Sequence, residues 1–331
     1  MARPRAASPP LVSHDDVLAA AARIRGRCVR TPLLAATWSQ PVPAWLKVES
    51  LQPTGAFKLR GATNAVAVLT AEQRARGVVT HSSGNHGSSL AYAARAAGVR
   101  VTAVVPHGAA QVKVDAVVAA GAELVRVDAA DRVAACAEIA SSTGAVEIPP
   151  FDHPDVIAGQ GTVGLEIAED LPQVDTVLVP VGGGGLLSGV AVALRALVPG
   201  VRIIGCEPEL AGDAFASFAA GLRVTLSESD TARTIADGLR SPSLGDLTWP
   251  HVQALVDDVV TVDEEAIVDA VRLLATGSRL VVEPSGAVAA AALMASGDRL
   301  PGGRTVVVVS GGNVDPAWFA ATLQAAPGGS R

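Results

Sequence analysis

Short runs of β-branched residues recur along the chain, separated by longer alanine-rich stretches whose apolar positions repeat every three to four residues. The runs VVTHS (78–82), VRVTAVVP (99–106), AELVRV (122–127), DTVLVPV (175–181), VRIIGCEP (201–208) and RTVVVVSGG (304–312) read as strands, each ending in a turn or a polar loop. Residues 88–97, 112–120, 186–197 and 264–275 keep the helical period. Near-continuous apolar strands alternating with helices predict an α/β fold in which mainly parallel sheet is covered by helices on both faces. The chain has 331 residues, 49% of them hydrophobic, enough for a sizeable core and for two domains. No internal repeat, low-complexity tract or linker marks a boundary between them.

Composition narrows the partners. One uncharged run, residues 176–194, has the length of a membrane span, but Pro180 and four consecutive glycines would break a spanning helix in its middle, so a buried strand, loop and helix are expected there. The 26 Lys and Arg against 32 Asp and Glu give a net charge of −6 with no clustered basic run. That balance supplies no cationic footprint for nucleic acid or for an anionic membrane surface. Aromatic residues, at 3%, leave few rings for stacking bases. Cys28, Cys136 and Cys206 are far apart and form no Cys-x-x-Cys pair, which predicts reduced, buried thiols in place of a zinc knuckle or disulfide framework. The opening MARPRAASPP runs directly into His14, Asp15 and Asp16 without a signal-length apolar stretch, so a frayed tail on a cytoplasmic protein is expected. A second frayed tail is expected after residue 326.

Four loops carry candidate chemistry. In SLQPTGAFKLRGATNAV (50–66), a turn with Pro53 and Gly55 presents Phe57 and Lys58 at the start of an alanine-rich helix. A lysine in a partly apolar pocket near the positive end of a helix is disfavoured as an ammonium and becomes a nucleophile toward an aldehyde. A solvated surface lysine is the plain alternative, and the other three loops weigh against it. In HSSGNHGSSLAYAARAAG (81–98), a strand ends in Ser82-Ser83-Gly84-Asn85-His86 and a helix begins at once. Backbone N–H groups there can hold a carboxylate, with Ser83, Asn85 and His86 adding donors or proton carriers, while helix capping remains the ordinary role for Ser82, Ser83 or Asn85. Two histidines five residues apart on a loop make a poor metal-ligand pair. In VPVGGGGLLSGVAVAL (179–194), Gly182, Gly183, Gly184 and Gly185 separate a strand from a helix, and bare backbone amides can wrap a phosphate. Neither a Walker A loop nor a Gly-x-Gly-x-x-Gly fingerprint is present, and tight packing alone is the competing explanation. In VVVVSGGNVD (306–315), a strand delivers Ser310 at its carboxyl end, where open parallel sheets bind ligands. An uncharged hydroxyl facing a pyridine nitrogen leaves the ring a weaker electron sink than an Asp partner does, which suits β-elimination better than transamination.

In this order and spacing, Phe57-Lys58, SSGNHG, GGGG and SGGN resemble the fold-type II pyridoxal-phosphate (PLP) enzymes, in the group holding serine/threonine dehydratase and eukaryotic-type serine racemase. The resemblance spans residues 12–319 and includes FDHPDVIAGQGTVGLEI (151–167), IADGLRSPSLGDLTWP (235–250) and EPSGAVAAAAL (283–293). It implies a tryptophan synthase β-like fold of two open, twisted, mainly parallel sheets flanked by helices. Residues 1–71 and 151–331 would form a large PLP-binding domain, with 72–150 a small mobile domain inserted in it. Lys58 would carry the cofactor and abstract the Cα proton. Phe57 would lie against the ring, Asn85 bond its 3-hydroxyl, Ser310 face its nitrogen and Gly182, Gly183, Gly184 and Gly185 hold its phosphate. Ser82, Ser83, Gly84, Asn85 and His86 would bind the substrate carboxylate, and Ser83 matches the serine that handles protons on the opposite face in racemases.

The resemblance further matches Glu207, the carbonyl of Ala211 and Asp213 to a site for Mg²⁺ or Ca²⁺, although ordinary loop acids would look the same. It implies a homodimer acting on a small amino acid. Three departures bear on regulation and chemistry: Ala56 stands where Ser or Thr is usual, DAADRV (128–133) lacks a Glu-Ser-Arg segment, and Ser88 stands where Gln is common. Because the sequence stops soon after SGGN, no feedback-regulatory domain is expected. The function expected is β-elimination of water from L-threonine or L-serine, with the unsaturated product hydrolysing to a 2-oxo acid and ammonia. Serine racemase or 3-hydroxyaspartate ammonia-lyase activity at the same site is the near alternative. A non-catalytic PLP carrier or sensor is the remote one, disfavoured because Lys58, Ser83, Asn85 and Ser310 are all present.

Overall fold

A computed structural model describes residues 10–39, 41–82, 84–109, 111–296 and 303–324. Among them run ten strands: β1 (Leu33–Ala35), β2 (Ala44–Val48), β3 (Val78–Thr80), β4 (Val101–Pro106), β5 (Glu123–Val127), β6 (Val146–Glu147), β7 (Thr176–Pro180), β8 (Arg202–Pro208), β9 (Asp258–Val262) and β10 (Thr305–Val309). The described α-helices are α1 (His14–Ile24), α2 (Lys58–Ala67), α3 (Ala71–Arg76), α4 (Asn85–Ala96), α5 (Gln111–Ala119), α6 (Arg132–Thr143), α7 (Pro154–Asp170), α8 (Gly185–Leu197), α9 (Asp213–Ala220), α10 (Glu228–Thr231), α11 (Thr248–Leu255), α12 (Glu264–Ser278), α13 (Pro284–Ser296) and α14 (Pro316–Gln324).

The strands form two sheets, one ordered β1-β2-β10-β7-β8-β9 and the other β5-β4-β3-β6. Every pairing is parallel except β1 with β2 at one edge. All six runs read from β-branched composition are strands. β1, β2, β6 and β9 are not legible that way: β1, β6 and β9 are short or half-exposed, and β2 carries Lys47 within its five residues.

Alternation along the central strands explains the layering. In β10, Val307 and Val309 face a core completed by α12 and α13, whereas Val306 and Val308 face one completed by α7 and α8. All four are fully buried, which at about 1.5–3 kcal/mol per valine makes β10 a major source of cohesion. The smaller sheet repeats the logic, with Val78 toward α2 and α4 and Val79 toward Cys136 of α6. Helix α2 is thus built into the smaller sheet's core and also crosses α7 at close range. A Cβ on Gly159 would stand 2.6 Å from the Gly61 Cα, so only glycine permits that crossing. Among the described residues, no helix is long and apolar enough to cross a membrane. The carboxyl ends of β3, β7 and β10 each run into one of the candidate loops.

Candidate active site

The turn before α2 is stitched to the end of β10. The Phe57 N–H donates to the Ser310 carbonyl (3.0 Å) and the Gly312 N–H to the Gly55 carbonyl (2.8 Å), while Gly55 itself takes the left-handed φ of +72° that the turn requires. Lys58 is the first residue of α2. Its Nζ lies 4.9 Å from the centre of the Phe57 ring and donates to the Pro150 carbonyl at 2.6 Å. No carboxylate offsets its desolvation, which brings the amine down to about 8.

Two residues further on, Arg60 anchors the helix. Its guanidinium donates to both oxygens of Glu49 at 2.7 Å and to Glu166 at 2.6 Å, and Lys47 donates to Glu166 at 2.6 Å. The bidentate geometry and four buried charges make a rigid footing for the turn that presents Lys58. Motif reading singles out none of these four residues; the signal is a lysine inside an otherwise apolar strand.

Helix α8 begins at Gly185 with Gly184 capping it at φ +89°. A Cβ on Gly183 would meet the Phe151 ring at 2.3 Å, and one on Gly184 would meet the Thr248 side chain at 2.9 Å. The run is therefore buried bare backbone, pressed between the segments at 151 and 244–248, at the start of a helix whose first N–H groups have no intrahelical acceptor. Asp152 secures that packing by accepting from the backbone N–H groups of Asp246, Leu247 and Thr248 at 2.8–3.2 Å. A phosphate fits such a cradle in charge and size.

Phe57, Lys58, Ser82, Gly84, Asn85, His86, Gly182 to Gly185 and Ser310 all line one cleft of about 820 Å³. Ser83 lies outside the described residues. The Asn85 amide is clamped, donating to Glu283 at 2.6 Å while its oxygen accepts from Asn313 at 2.9 Å. Ser310 is buried, and its hydroxyl makes one long bond, 3.4 Å, to the Ser285 carbonyl, leaving it free to turn toward a ligand. His86 is buried with Nε2 on the Ile148 carbonyl at 2.9 Å and Nδ1 without a partner, and burial beside the Lys58 amine pushes it down to about 3, which favours a neutral imidazole on the cleft wall.

Two cleft residues escape the sequence reading. Glu283 is pushed up to about 7 by burial and by Asp237 nearby, and Asp237 is ion-paired with Lys113 of α5. Only the hint of an acid immediately before a helix-starting proline points to Glu283. Glu207, Ala211 and Asp213 lie elsewhere, all fully buried. Glu207 accepts from the N–H groups of Ala214 (3.1 Å) and Phe215 (2.9 Å), whereas both Asp213 carboxylate oxygens lack a partner. Burial raises Asp213 to about 7 and, together with Asp213, raises Glu207 as well. Two adjacent hard-oxygen donors with orphaned atoms fit a divalent cation.

A family described as pyridoxal-phosphate dependent enzymes matches residues 24–311. The chain is 42% identical over 306 residues to a serine racemase of Oryza sativa subsp. indica, covering 89% of each. It is 41% identical over 308 residues to a beta-hydroxyaspartate dehydratase of Paracoccus denitrificans, covering 92% of this chain and 96% of that protein. Among solved structures, maize serine racemase superposes with a TM-score of 0.90 at 40% identity, covering 95% of this chain and 97% of that one. A lysine amine and a glycine cradle in one cleft accord with these matches, and the chain belongs to the pyridoxal-phosphate dependent enzymes of fold type II, in the serine/threonine dehydratase and serine racemase family.

Proposed function

We propose that this enzyme eliminates the β-hydroxyl of a small hydroxy amino acid such as L-threonine or L-serine as water, the unsaturated product then hydrolysing to a 2-oxo acid and ammonia. The observation that carries the reading is a lysine amine on a cleft wall with no carboxylate partner, depressed to about 8 and so available as nucleophile and base. When bound, pyridoxal phosphate supplies an aldehyde for that amine and a ring that draws electron density from the substrate Cα.

The chain's own residues would do the rest. Lys58 holds the cofactor and moves the Cα proton. The backbone of Gly182 to Gly185 and the first turn of α8 take the phosphate, Asn85 takes the ring hydroxyl, and Ser310 faces the ring nitrogen without charge. Ser82, Gly84 and the N-terminal amides of α4 orient the substrate carboxylate, and Ser83 is the candidate for a second proton carrier. Residues 72–150 would close over the cleft as a mobile unit that excludes water, with Lys113 meeting Asp237 across it. Glu207, Asp213 and the Ala211 carbonyl would hold Mg²⁺ or Ca²⁺, and the working form would be a homodimer.

Arg132 favours a second reading. It lines the cleft with its Nε buried and unpartnered and only a loose pair, 3.5 Å, to Glu228. A guanidinium so loosely held suits a carboxylate on the substrate β-carbon, as in 3-hydroxyaspartate. Incubating the enzyme with L-serine, D-serine, L-threonine and threo-3-hydroxyaspartate, and following 2-oxo acid against enantiomer, separates elimination from racemisation and identifies the side chain. Inertness toward all four in a protein that has taken up the cofactor would refute the enzymatic reading.

A further inference from the structure

The smaller sheet gathers three metal-binding side chains that the reaction does not use. β3 and β6 pair in parallel with Val79 opposite Glu147. His81 follows Val79 by two residues, so His81 and Glu147 project to the same face. That face is covered by α6, which places Cys136 against Val79. Nitrogen, sulfur and oxygen donors from β3, α6 and β6 thereby come within 4.8 Å of one another.

The separation of His81 from Glu147 suits a shared ion better than a direct hydrogen bond. His81 Nδ1 and Glu147 Oε1 are 3.6 Å apart, beyond a useful hydrogen bond, and the Nδ1 atom is buried without a partner. Two tetrahedral zinc ligands at about 2.0–2.1 Å from the metal stand about 3.4 Å apart. We propose that His81, Cys136 and Glu147 form a zinc site, completed by a fourth ligand from solvent, that ties the strand end leading into Ser82 to helix α6.

Donor chemistry selects the ion. A thiolate and an imidazole exclude Mg²⁺ and Ca²⁺, while one soft, one borderline and one hard donor suit Zn²⁺. One thiolate and one carboxylate neutralise the dication, so the nearby Arg132 guanidinium faces a site of no net charge. In the free protein, burial and Glu147 hold the Cys136 thiol up at about 12. Forming the Zn–S bond therefore displaces that proton to solvent, one per ion bound.

The test is zinc binding by cofactor-loaded enzyme, stripped with a chelator, dialysed against micromolar Zn²⁺ and assayed for metal by mass spectrometry. Wild type should retain one zinc more per chain than Cys136→Ala, and Glu147→Gln should weaken binding on the order of 100-fold or more, exceeding the loss typical of merely supporting residues. Both variants should keep the visible absorbance of bound cofactor. Equal zinc in wild type and both variants would overturn the site. Should the variants fail to fold, Co²⁺ added to wild type gives an independent reading: a thiolate-to-cobalt charge-transfer band supports the site and its absence overturns it.

Discussion

The depressed Lys58 amine makes a kinetic prediction that can be worked through. With its pKa at about 8 in place of 10.5, about 9% of the amine is neutral at pH 7, against about 0.03% for an exposed lysine, a gain of roughly 300-fold in nucleophile. Cofactor-free enzyme mixed with pyridoxal phosphate should therefore develop visible absorbance at a rate that rises about fivefold between pH 7 and 8 and levels off above about 9. Working above pH 7 keeps the cofactor phosphate dianionic, so the bend reports the amine. Stability should move with the same group. Its folded pKa lies below its unfolded one, so the unfolded chain binds more protons between about 8 and 10.5, and the cofactor-free protein gains stability as pH rises through that window. Lys58→Met should lack this rise and form no coloured complex. A capture rate that keeps climbing tenfold per unit to pH 10, with the same stability profile in Lys58→Met, would show the amine to be solvated and remove the basis of the mechanism.

Three further outcomes follow from other parts of the structure. Gly183→Ala puts a methyl 2.3 Å from the Phe151 ring; at about 1–3 kcal/mol for such overpacking, cofactor affinity by absorbance titration should fall about 10- to 100-fold, and unchanged affinity would remove the glycine run from the phosphate site. Arg60→Leu strands Glu49 and part of the Glu166 charge in the core and should cost about 3–5 kcal/mol in thermal unfolding, whereas Arg30→Leu, which breaks a half-exposed pair with Glu169, should cost no more than about 1 kcal/mol. Glu283→Gln should raise the thermal midpoint above pH 7 and leave it unchanged near pH 4, because a carboxyl raised from 4.5 to about 7 costs stability progressively across that window, where the unfolded chain has ionised and the folded one has not. A midpoint shift independent of pH would mean that the Glu283 carboxyl titrates alike in the folded and unfolded chain.

The sequence by itself determined the α/β class, the six apolar strands and the loops that bear Lys58, Asn85, the glycine run and Ser310. These features are local: a valine run, a turn glycine or a polar cluster after a strand declares itself within a dozen residues. Only the tertiary structure decided the strand order, the burial of His86 against Ile148, the clamp of Glu283 on Asn85, the Arg60 network and the meeting of His81, Cys136 and Glu147. Each of these pairs groups distant in the chain, Asn85 and Glu283 by 198 positions and Arg60 and Glu166 by 106. A charged or polar side chain carries the same letter whether it is solvated or buried, and its partner, its desolvation and hence its protonation exist only after the two sheets have packed.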